Sequence, residues 1–332
     1  MSEPQFPYKR LYFKDSEIFA MFRRLKALYL SERIAFPNSC SIGGLSQSFP
    51  LNHSLKLGGK YVQITSRKED YYDFNQLSDM FVESVRVKAR VCTEKYSPFD
   101  YFYEFSRRIS QECLKRYGTL DDPYFLRETL FILVRECTSF RPAVVRGIIS
   151  YFNAKKMFDF SAGWGDRLLG AMASDIEYLG LDPNPDLKSP HQEMIRTFGD
   201  PNKHSVITEC AEEFSPSKKI LGTFDLVFTS PPFFDTEIYR INDFTQSSRF
   251  CDETDWLDGF LFPAVDLSVK MLQKSGIFAL NLKQKSSNES FISKTFSYIS
   301  NQYPETMVYV GMISYINERG VNPQPIWIWR KI

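Results

Sequence analysis

The 332-residue sequence is most informative at first through what it lacks. No stretch approaches the ~18 uninterrupted apolar residues of a membrane-spanning helix, and the opening "MSEPQFPYKRLYFKD" has no apolar signal core, so an intracellular, non-membrane protein is expected. Only three histidines occur, and the six cysteines (40, 92, 113, 137, 210 and 251) show no CxxC or Cys/His spacing, which leaves neither a zinc site nor a disulfide framework to expect. Repeats and low-complexity tracts are missing as well, which argues against long disordered segments.

What remains is the composition of a chain with a substantial core: 43% hydrophobic, 16% aromatic and 24% charged residues. The net charge of +1 is unevenly placed: residues 1–150 hold 23 Lys and Arg against 17 Asp and Glu, whereas 151–332 hold 18 against 23. A basic half joined to an acidic half hints that the first meets a polyanion.

From about residue 155 a regular alternation begins. "KMFDF" (156–160), "IEYLGLD" (176–182), "HSVITEC" (204–210), "DLVFT" (225–229) and "SGIFALNLK" (275–283) read as strands, with helical spacing between them, notably in "WLDGFLFPAVDLSVKML" despite Pro263. "ETMVYVGMISYI" and "QPIWIWRKI" close the chain as a hairpin. The expected fold class is therefore α/β: a doubly wound, mostly parallel, seven-stranded Rossmann-like sheet with a C-terminal antiparallel hairpin and an N-terminal α+β elaboration. Residues 1–120 are expected to be a recognition or cover region and 121–332 the principal domain, with its core at 155–332.

Two turns stand out within that alternation. Gly163 and Gly165 lie in the first strand-to-helix turn, where a missing Cβ serves equally a tight turn or a close approach of backbone to ligand. Asp182 ends the second strand, the place where an acid can accept hydrogen bonds from ribose hydroxyls. The fourth strand stops at Ser230-Pro231-Pro232: each proline fixes its φ and lacks an N–H, which makes a stiff bend just past a strand's carboxyl end.

"FDFSAGWGDRLLGA", "LGLDPNPDL" and "TSPPFF", in this order, resemble motifs I, II and IV of class I S-adenosylmethionine-dependent methyltransferases, the last being the Pro-Pro-aromatic signature of enzymes that methylate exocyclic amino groups. The sequence is similar over residues 155–332 to nucleobase amino-methyltransferases, including phage and large-virus versions. The resemblance implies methyl transfer from S-adenosylmethionine to adenine N6 or cytosine N4, in DNA ahead of RNA. It implies no metal, and allows a partner subunit or a homodimer. RNA adenosine, a protein amide nitrogen, or a non-catalytic subunit are the alternatives.

By the same resemblance, Asp159, Ser161, Ala162, Gly163 and Gly165 hold the methionine end of the cofactor and Asp182 its ribose. Cys210, Ala211 and Glu212 border its adenine. Ser230 and the Pro231 carbonyl become acceptors for the two amino hydrogens, Pro232 stiffens the bend and Phe233 stacks on the base, with Phe234 beside it. Asp or Asn is usual at position 230, and Ser is commoner in the cytosine branch, so the target base stays open. Asp166 and Arg167 are expected to pair with each other or cap the helix, and Asp235 and Glu237 are acids near the bend that could take up a proton. In the N-terminal region "SVRVKARV" alternates apolar residues with Arg86, Lys88 and Arg90; as a strand it would present a basic row able to track phosphates. The Gly/Ser-rich 41–59 reads as a long connection or a cover, and 97–118 and 123–152 as helices. His53 and His191 carry no assignment.

Overall fold

The computed structural model describes residues 5–28, 31–34, 62–65, 74–232, 234, 237–239, 249–250, 252–282, 291–315 and 324–332. The N-terminal region contains helix α1 (Asp15–Ala27), strands β1 (Ser31–Ile34) and β2 (Val62–Thr65), helix α2 (Asn75–Arg86) and the two-residue strand β3 (Arg90–Val91). Four helices follow: α3 (Pro98–Glu104), α4 (Ser106–Tyr117), α5 (Pro123–Leu133) and α6 (Pro142–Phe152). The alternating part then runs β4 (Lys156–Asp159), α7 (Asp166–Ala173), β5 (Glu177–Leu181), α8 (Lys188–Phe198), β6 (His204–Ile207) and β7 (Phe224–Thr229). After the short β8 (Glu237–Ile238), α9 (Glu253–Trp256) passes through a wide π turn, Leu257–Leu261, into α10 (Phe262–Met271). Strand β9 (Leu272–Asn281), α11 (Phe291–Gln302) and the pair β10 (Met307–Tyr315) and β11 (Gln324–Lys331) complete the chain.

Local chemistry accounts for several helix ends. Helices α3, α5 and α6 each begin at a proline, which has no N–H to leave unpaired in a first turn. Ser97 and Asp122 cap the first two through the N–H groups of Asp100 and Tyr124. Helix α4 stops at Gly118 and α6 at Asn153, both in the left-handed conformation. Pro263 is tolerated because it lies in the first turn of α10, just past the π turn that rearranges the backbone bonds its ring would block.

The sheet order is β1-β2-β10-β11-β9-β7-β4-β5-β6. Strands β6, β5, β4, β7 and β9 are successive parallel neighbours, and β11 is antiparallel to both β9 and β10. This is the expected doubly wound sheet with its antiparallel C-terminal pair. It is extended to nine strands, because β2 adds parallel to β10 and β1 antiparallel to β2. The hydrophobic pattern of 155–332 contains no sign of this, since both added strands come from the N-terminal region. The 41–59 segment lies outside the described residues.

Alternate strand residues enter two cores. Met157, Leu226, Phe228 and Ala279 face α1, α2, α6, α7 and α8, whereas Phe158, Val227, Phe278 and Leu280 face α10 and α11. Coverage of both faces explains why these strands read as continuous apolar runs rather than alternating ones. Each fully buried Phe or Leu contributes about 1.5–3 kcal/mol relative to exposure. The first core also takes in Ile18, Phe22, Leu25, Phe74 and Leu77, so the N-terminal helices are continuous with the sheet's own packing. Among the described residues no helix is long and apolar enough to cross a membrane.

Candidate active site at the carboxyl edge of the sheet

Strand β4 ends at Asp159 and the chain turns through 161–165 into α7. Gly163 has φ +56° and Gly165 +85°, both in the left-handed region that glycine adopts without strain. The two glycines differ in surroundings. A Cβ at Gly165 would lie 2.8 Å from Met194 Cε, whereas one at Gly163 would meet nothing nearer than 3.7 Å. A methyl at Gly165 would press on the end of the buried Met194 side chain, whereas Gly163 leaves an open stretch of backbone. The Ala162 N–H donates to Leu181 O at 2.8 Å, tying the turn to the end of β5.

The anchor of this turn is Asp159, which is completely buried. Its carboxylate accepts from Ser161 N (3.1 Å), Arg167 Nε (2.7 Å) and Tyr178 OH (2.8 Å), while Arg167 also donates to Ser161 O. Burial, and then the Asp159 charge, push the Tyr178 hydroxyl well above its ordinary value, which keeps it a donor. With no exposed surface and both oxygens engaged, Asp159 shapes the turn from beneath. Arg167 pairs with Asp159, not with Asp166 as the sequence suggested. Asp166 instead accepts from Ser78 Oγ at 2.7 Å, and burial pushes its carboxyl up to about 7 against that bond.

Asp182 closes the turn from β5. Its oxygens accept from Gly163 N (2.8 Å) and Asn184 N (3.0 Å), and each keeps a further lone pair. Burial pushes its carboxyl up to about 6, opposed by those two bonds. Sequence reasoning missed two neighbours. Asn184 is buried, and its Nδ2 has no hydrogen-bond partner among the described residues, a donor left over beside the carboxylate. His191, a buried residue of α8 and not a loop residue, has Nε2 2.9 Å from Gly163 O. Burial lowers its pKa to about 4, so its ring is neutral at pH 7 and its Nε2 hydrogen can hold that carbonyl. The signal for Asn184 was present in "DPNPD"; the one for His191 was not, because only the packing of α8 brings it to the turn.

Strand β6 ends at Ile207, three residues short of the expected strand, so Cys210 and Ala211 lie buried in the turn that follows. Glu212 is ion-paired with Arg249, and burial raises its carboxyl pKa.

The second turn leaves β7. Met157 and Phe158 of β4 pair in parallel with Leu226 and Val227, so the glycine turn and Ser230-Pro231-Pro232 emerge side by side from adjacent strands. Ser230 Oγ donates to Asn281 Oδ1 at 3.0 Å; Pro231 is buried and Pro232 half-buried. Phe233 and Asp235 lie outside the described residues, as does His53. Phe234 is half-buried with its ring 6.4 Å from that of Trp256. Past the bend, β8 pairs with β3, matching Ile238 to Arg90 and Glu237 to Val91. Glu237 is buried and accepts from Thr138 N (2.8 Å) and Tyr239 OH (2.8 Å), so it braces this segment. The Tyr239 ring packs 5.6 Å from Trp164 of the glycine turn, which ties the segment past the bend to that turn.

The expected basic row does not form. Residues through Arg86 are helical, 87–88 turn, and only Arg90 and Val91 are extended. Arg86 is buried, bound to Asp79 through Nε (2.6 Å) and NH2 (2.9 Å) and to Glu136 at 2.8 Å. Lys88 is exposed over the Phe99 ring (5.4 Å), and Arg90 donates to Glu94 O at 2.8 Å. Pairing with Asp79 on the same helix and with Glu136, 50 residues on, outweighs the alternation that favoured a strand. Among the described residues no group of His, Cys, Asp and Glu is arranged to hold a metal ion.

No family model matches the sequence, and no curated protein matches it. Solved structures do show likeness. Magnesium protoporphyrin IX methyltransferase from Synechocystis, with bound SAM, is 8% identical with a TM-score of 0.39 over 70% of this chain and 94% of that one. An rRNA methylase from Streptococcus thermophilus is 10% identical with a TM-score of 0.36, over 59% of this chain and 99% of that one. A branched-chain polyamine synthase from Thermus thermophilus, in complex with N4-aminopropylspermidine and 5′-methylthioadenosine, is 10% identical with a TM-score of 0.38 over 57% of this chain; only 55% of the synthase is spanned. At these values the likenesses carry no argument about activity. The Rossmann-like α/β class stands on the hydrogen-bonded order of the sheet itself.

Proposed function

We propose that this chain is an S-adenosylmethionine-dependent methyltransferase acting on an exocyclic amino group of a nucleobase, adenine N6 or cytosine N4, in DNA ahead of RNA. The observation that carries this reading is the parallel pairing of β4 with β7, which sets the glycine turn and the Ser-Pro-Pro turn next to one another at one sheet edge. That edge is where open α/β sheets bind ligands.

The residues present suit a nucleoside-bearing cofactor. The open backbone at Gly163 can be approached closely, Asp182 has lone pairs for ribose hydroxyls, and the Asn184 Nδ2 donor is available to an oxygen. Ser161, Ala162 and Gly165 shape the same cradle, with Cys210 and Ala211 as the apolar wall. When bound, the cofactor supplies an electrophilic methyl group on a sulfonium.

The protein's part is to prepare the nucleophile. The lone pair of a nucleobase amino nitrogen is delocalised into the ring, and two acceptors directed at its two hydrogens draw it out. Ser230 Oγ and the Pro231 carbonyl fill those roles, and the two prolines hold the carbonyl still. Phe233 supplies a stacking face for the base, an interaction of about 1–3 kcal/mol. A duplex substrate must have its base flipped out to arrive there. The exposed Lys88 and Lys95 flank β3, which pairs with β8 past the bend, and these cations suit a polyanionic substrate.

The test is transfer of tritiated methyl from S-adenosylmethionine to matched duplex DNA, single-stranded DNA, RNA and protein extract, followed by nucleoside mass spectrometry. N6-methyladenine or N4-methylcytosine from DNA is the expected product. Label on RNA or protein moves the substrate class while keeping the chemistry. No label, despite cofactor binding by calorimetry, points to a required partner subunit; neither label nor binding overturns the enzymatic reading in favour of a non-catalytic subunit. Pro231→Ala and Phe233→Ala are expected to lose turnover while still binding cofactor.

A further inference from the structure

We infer that Asn281 is a positioning residue that makes the Ser230 hydroxyl an acceptor towards the substrate's amino group; the inference rests on the reading of Ser230 given above. A serine hydroxyl is both donor and acceptor, and its hydrogen rotates to suit its surroundings. Aimed at an incoming N–H, that hydrogen would oppose the substrate. A carboxylate at this position would have no such ambiguity.

The geometry removes the ambiguity in two steps across three neighbouring strands. Asn281 Nδ2 lies 2.8 Å from Pro325 O, an acceptor with no alternative role. Flipping the amide would set two carbonyl oxygens against each other, so the Asn281 orientation is determined by Pro325. Its Oδ1 then faces Ser230 Oγ at 3.0 Å and can only accept. Ser230 must donate its hydrogen there, which leaves the Oγ lone pairs for other donors. Asn281 is only 4% exposed, so water does not compete for either bond.

The strand order makes this arrangement possible. Thr229 is paired with Leu280 in the parallel β7–β9 ladder, which places the next residues, Ser230 and Asn281, at the same level. Ile326 of β11 is paired with Asn281, bringing the carbonyl of the preceding Pro325 to the amide. The outcome is an uncharged acceptor with the polarity of a carboxylate. It suits a nucleophile that arrives with hydrogens to donate, as an amine does.

The experiment is a double-mutant cycle read by kcat, with cofactor affinity measured alongside. Asn281→Leu, close in shape but without an acceptor, is expected to lower kcat about 10–100-fold, the range seen when a partner that orients a reacting group is removed. Cofactor affinity should be retained. In a Ser230→Ala background the same change should have no further effect on kcat, because no hydroxyl is left to orient. Equal losses in both backgrounds, or parental turnover in Asn281→Leu, overturn the inference while leaving the role of Ser230 intact. Parental turnover in Ser230→Ala overturns that role and the inference with it. A readout independent of turnover is the Asn281 side-chain amide in 15N-labelled protein, expected to exchange slowly and to shift in Ser230→Ala. An amide that exchanges fast, or does not respond to Ser230→Ala, overturns the relay.

Discussion

Beneath the glycine turn, Asp159, Arg167 and Tyr178 form one buried polar cluster; among the N-terminal helices, Lys9, Asp79, Glu83, Arg86, Arg127 and Glu136 form another. In the first, Asp159 accepts from the N–H of Ser161 and Arg167 donates to its C=O, so charge shapes a loop that leaves backbone open at Gly163. In the second, three carboxylates meet three cations, and they chiefly bind one another: Lys9 reaches Asp79 at 2.6 Å and Arg127 reaches Glu83 at 2.8 Å. Burial works to raise the Glu136 carboxyl, yet Arg127 and Arg86 hold it down at about 2. Buried charge alone therefore does not mark a site. What distinguishes the glycine turn is accessible backbone, spare lone pairs on Asp182 and an unmatched donor on Asn184. The Asp166–Ser78 bond joins the two systems, since Asp166 precedes Arg167 and Ser78 precedes Asp79.

The comparison can be broken most forcefully in the helical network. Arg127→Ala leaves Glu83 and Glu136 buried without a shared partner and is expected to cost about 3–5 kcal/mol of stability in chemical denaturation. A loss near 1 kcal/mol would contradict the network as described. Cofactor affinity of the folded fraction should stay at the parental value, because Arg127 bonds to Glu83 and Glu136 and takes no part in the Asp166–Ser78 link to the turn.

The glycine turn predicts the reverse pattern. Asp182→Ala is expected to weaken cofactor binding by about 1.5–3 kcal/mol in calorimetry, the size of hydrogen bonds to a charged group. Its unfolding midpoint should change little. Within the turn, Gly165→Ala should destabilise by about 1–3 kcal/mol because its methyl meets Met194, whereas Gly163→Ala carries only the left-handed backbone penalty of about 1 kcal/mol. The Gly163 variant should lose more affinity than stability, and the Gly165 variant the opposite.

The pH dependence sharpens the contrast further. Asp166 and Asp182 titrate near about 7 and about 6 in the folded protein, against an ordinary value of 3.8. A raised folded pKa gives stability that is complete below the ordinary value and lost as pH rises through 6 to 7. Denaturation midpoints are therefore expected to fall over that interval, less steeply in Asp166→Asn. Cofactor affinity should move the other way, rising as Asp182 ionises and becomes an acceptor for both ribose hydroxyls, with the slope absent in Asp182→Asn. The lowered carboxyl of Glu136 acts with the opposite sign: its contribution is complete above the ordinary 4.5 and lost as pH falls towards about 2. The smallest effect belongs to the half-exposed Arg116–Glu112 pair on α4, where Glu112→Gln should change stability by only about 0.3–0.5 kcal/mol.

Much of the edge was legible in advance because its signals are local. Pro231 and Pro232 can only end a strand, and Gly163 and Gly165 between an apolar run and a helical one can only turn. The reading of 84–91 failed for a related reason. Val85, Val87, Ala89 and Val91 satisfy a two-residue period, but Arg86 is drawn inward by Asp79 one helical stretch earlier and by Glu136, which lies 50 residues on. Lys88, left outside, is the only one of the three cations that is exposed.

By itself the sequence determined the class of sheet, the existence of its main strands and the two turns at its carboxyl edge. Each follows from the backbone rules of proline and glycine and from apolar periods spanning a few residues. The tertiary structure alone decided how polar groups are matched: Asp159 with Arg167, Arg86 with Glu136, His191 with the Gly163 carbonyl, and Ser230 with Asn281, 51 residues away. A hydrogen bond or ion pair depends on position to within a fraction of an ångström, and every donor has several chemically equivalent acceptors along the chain. Only the packed strand order selects among them.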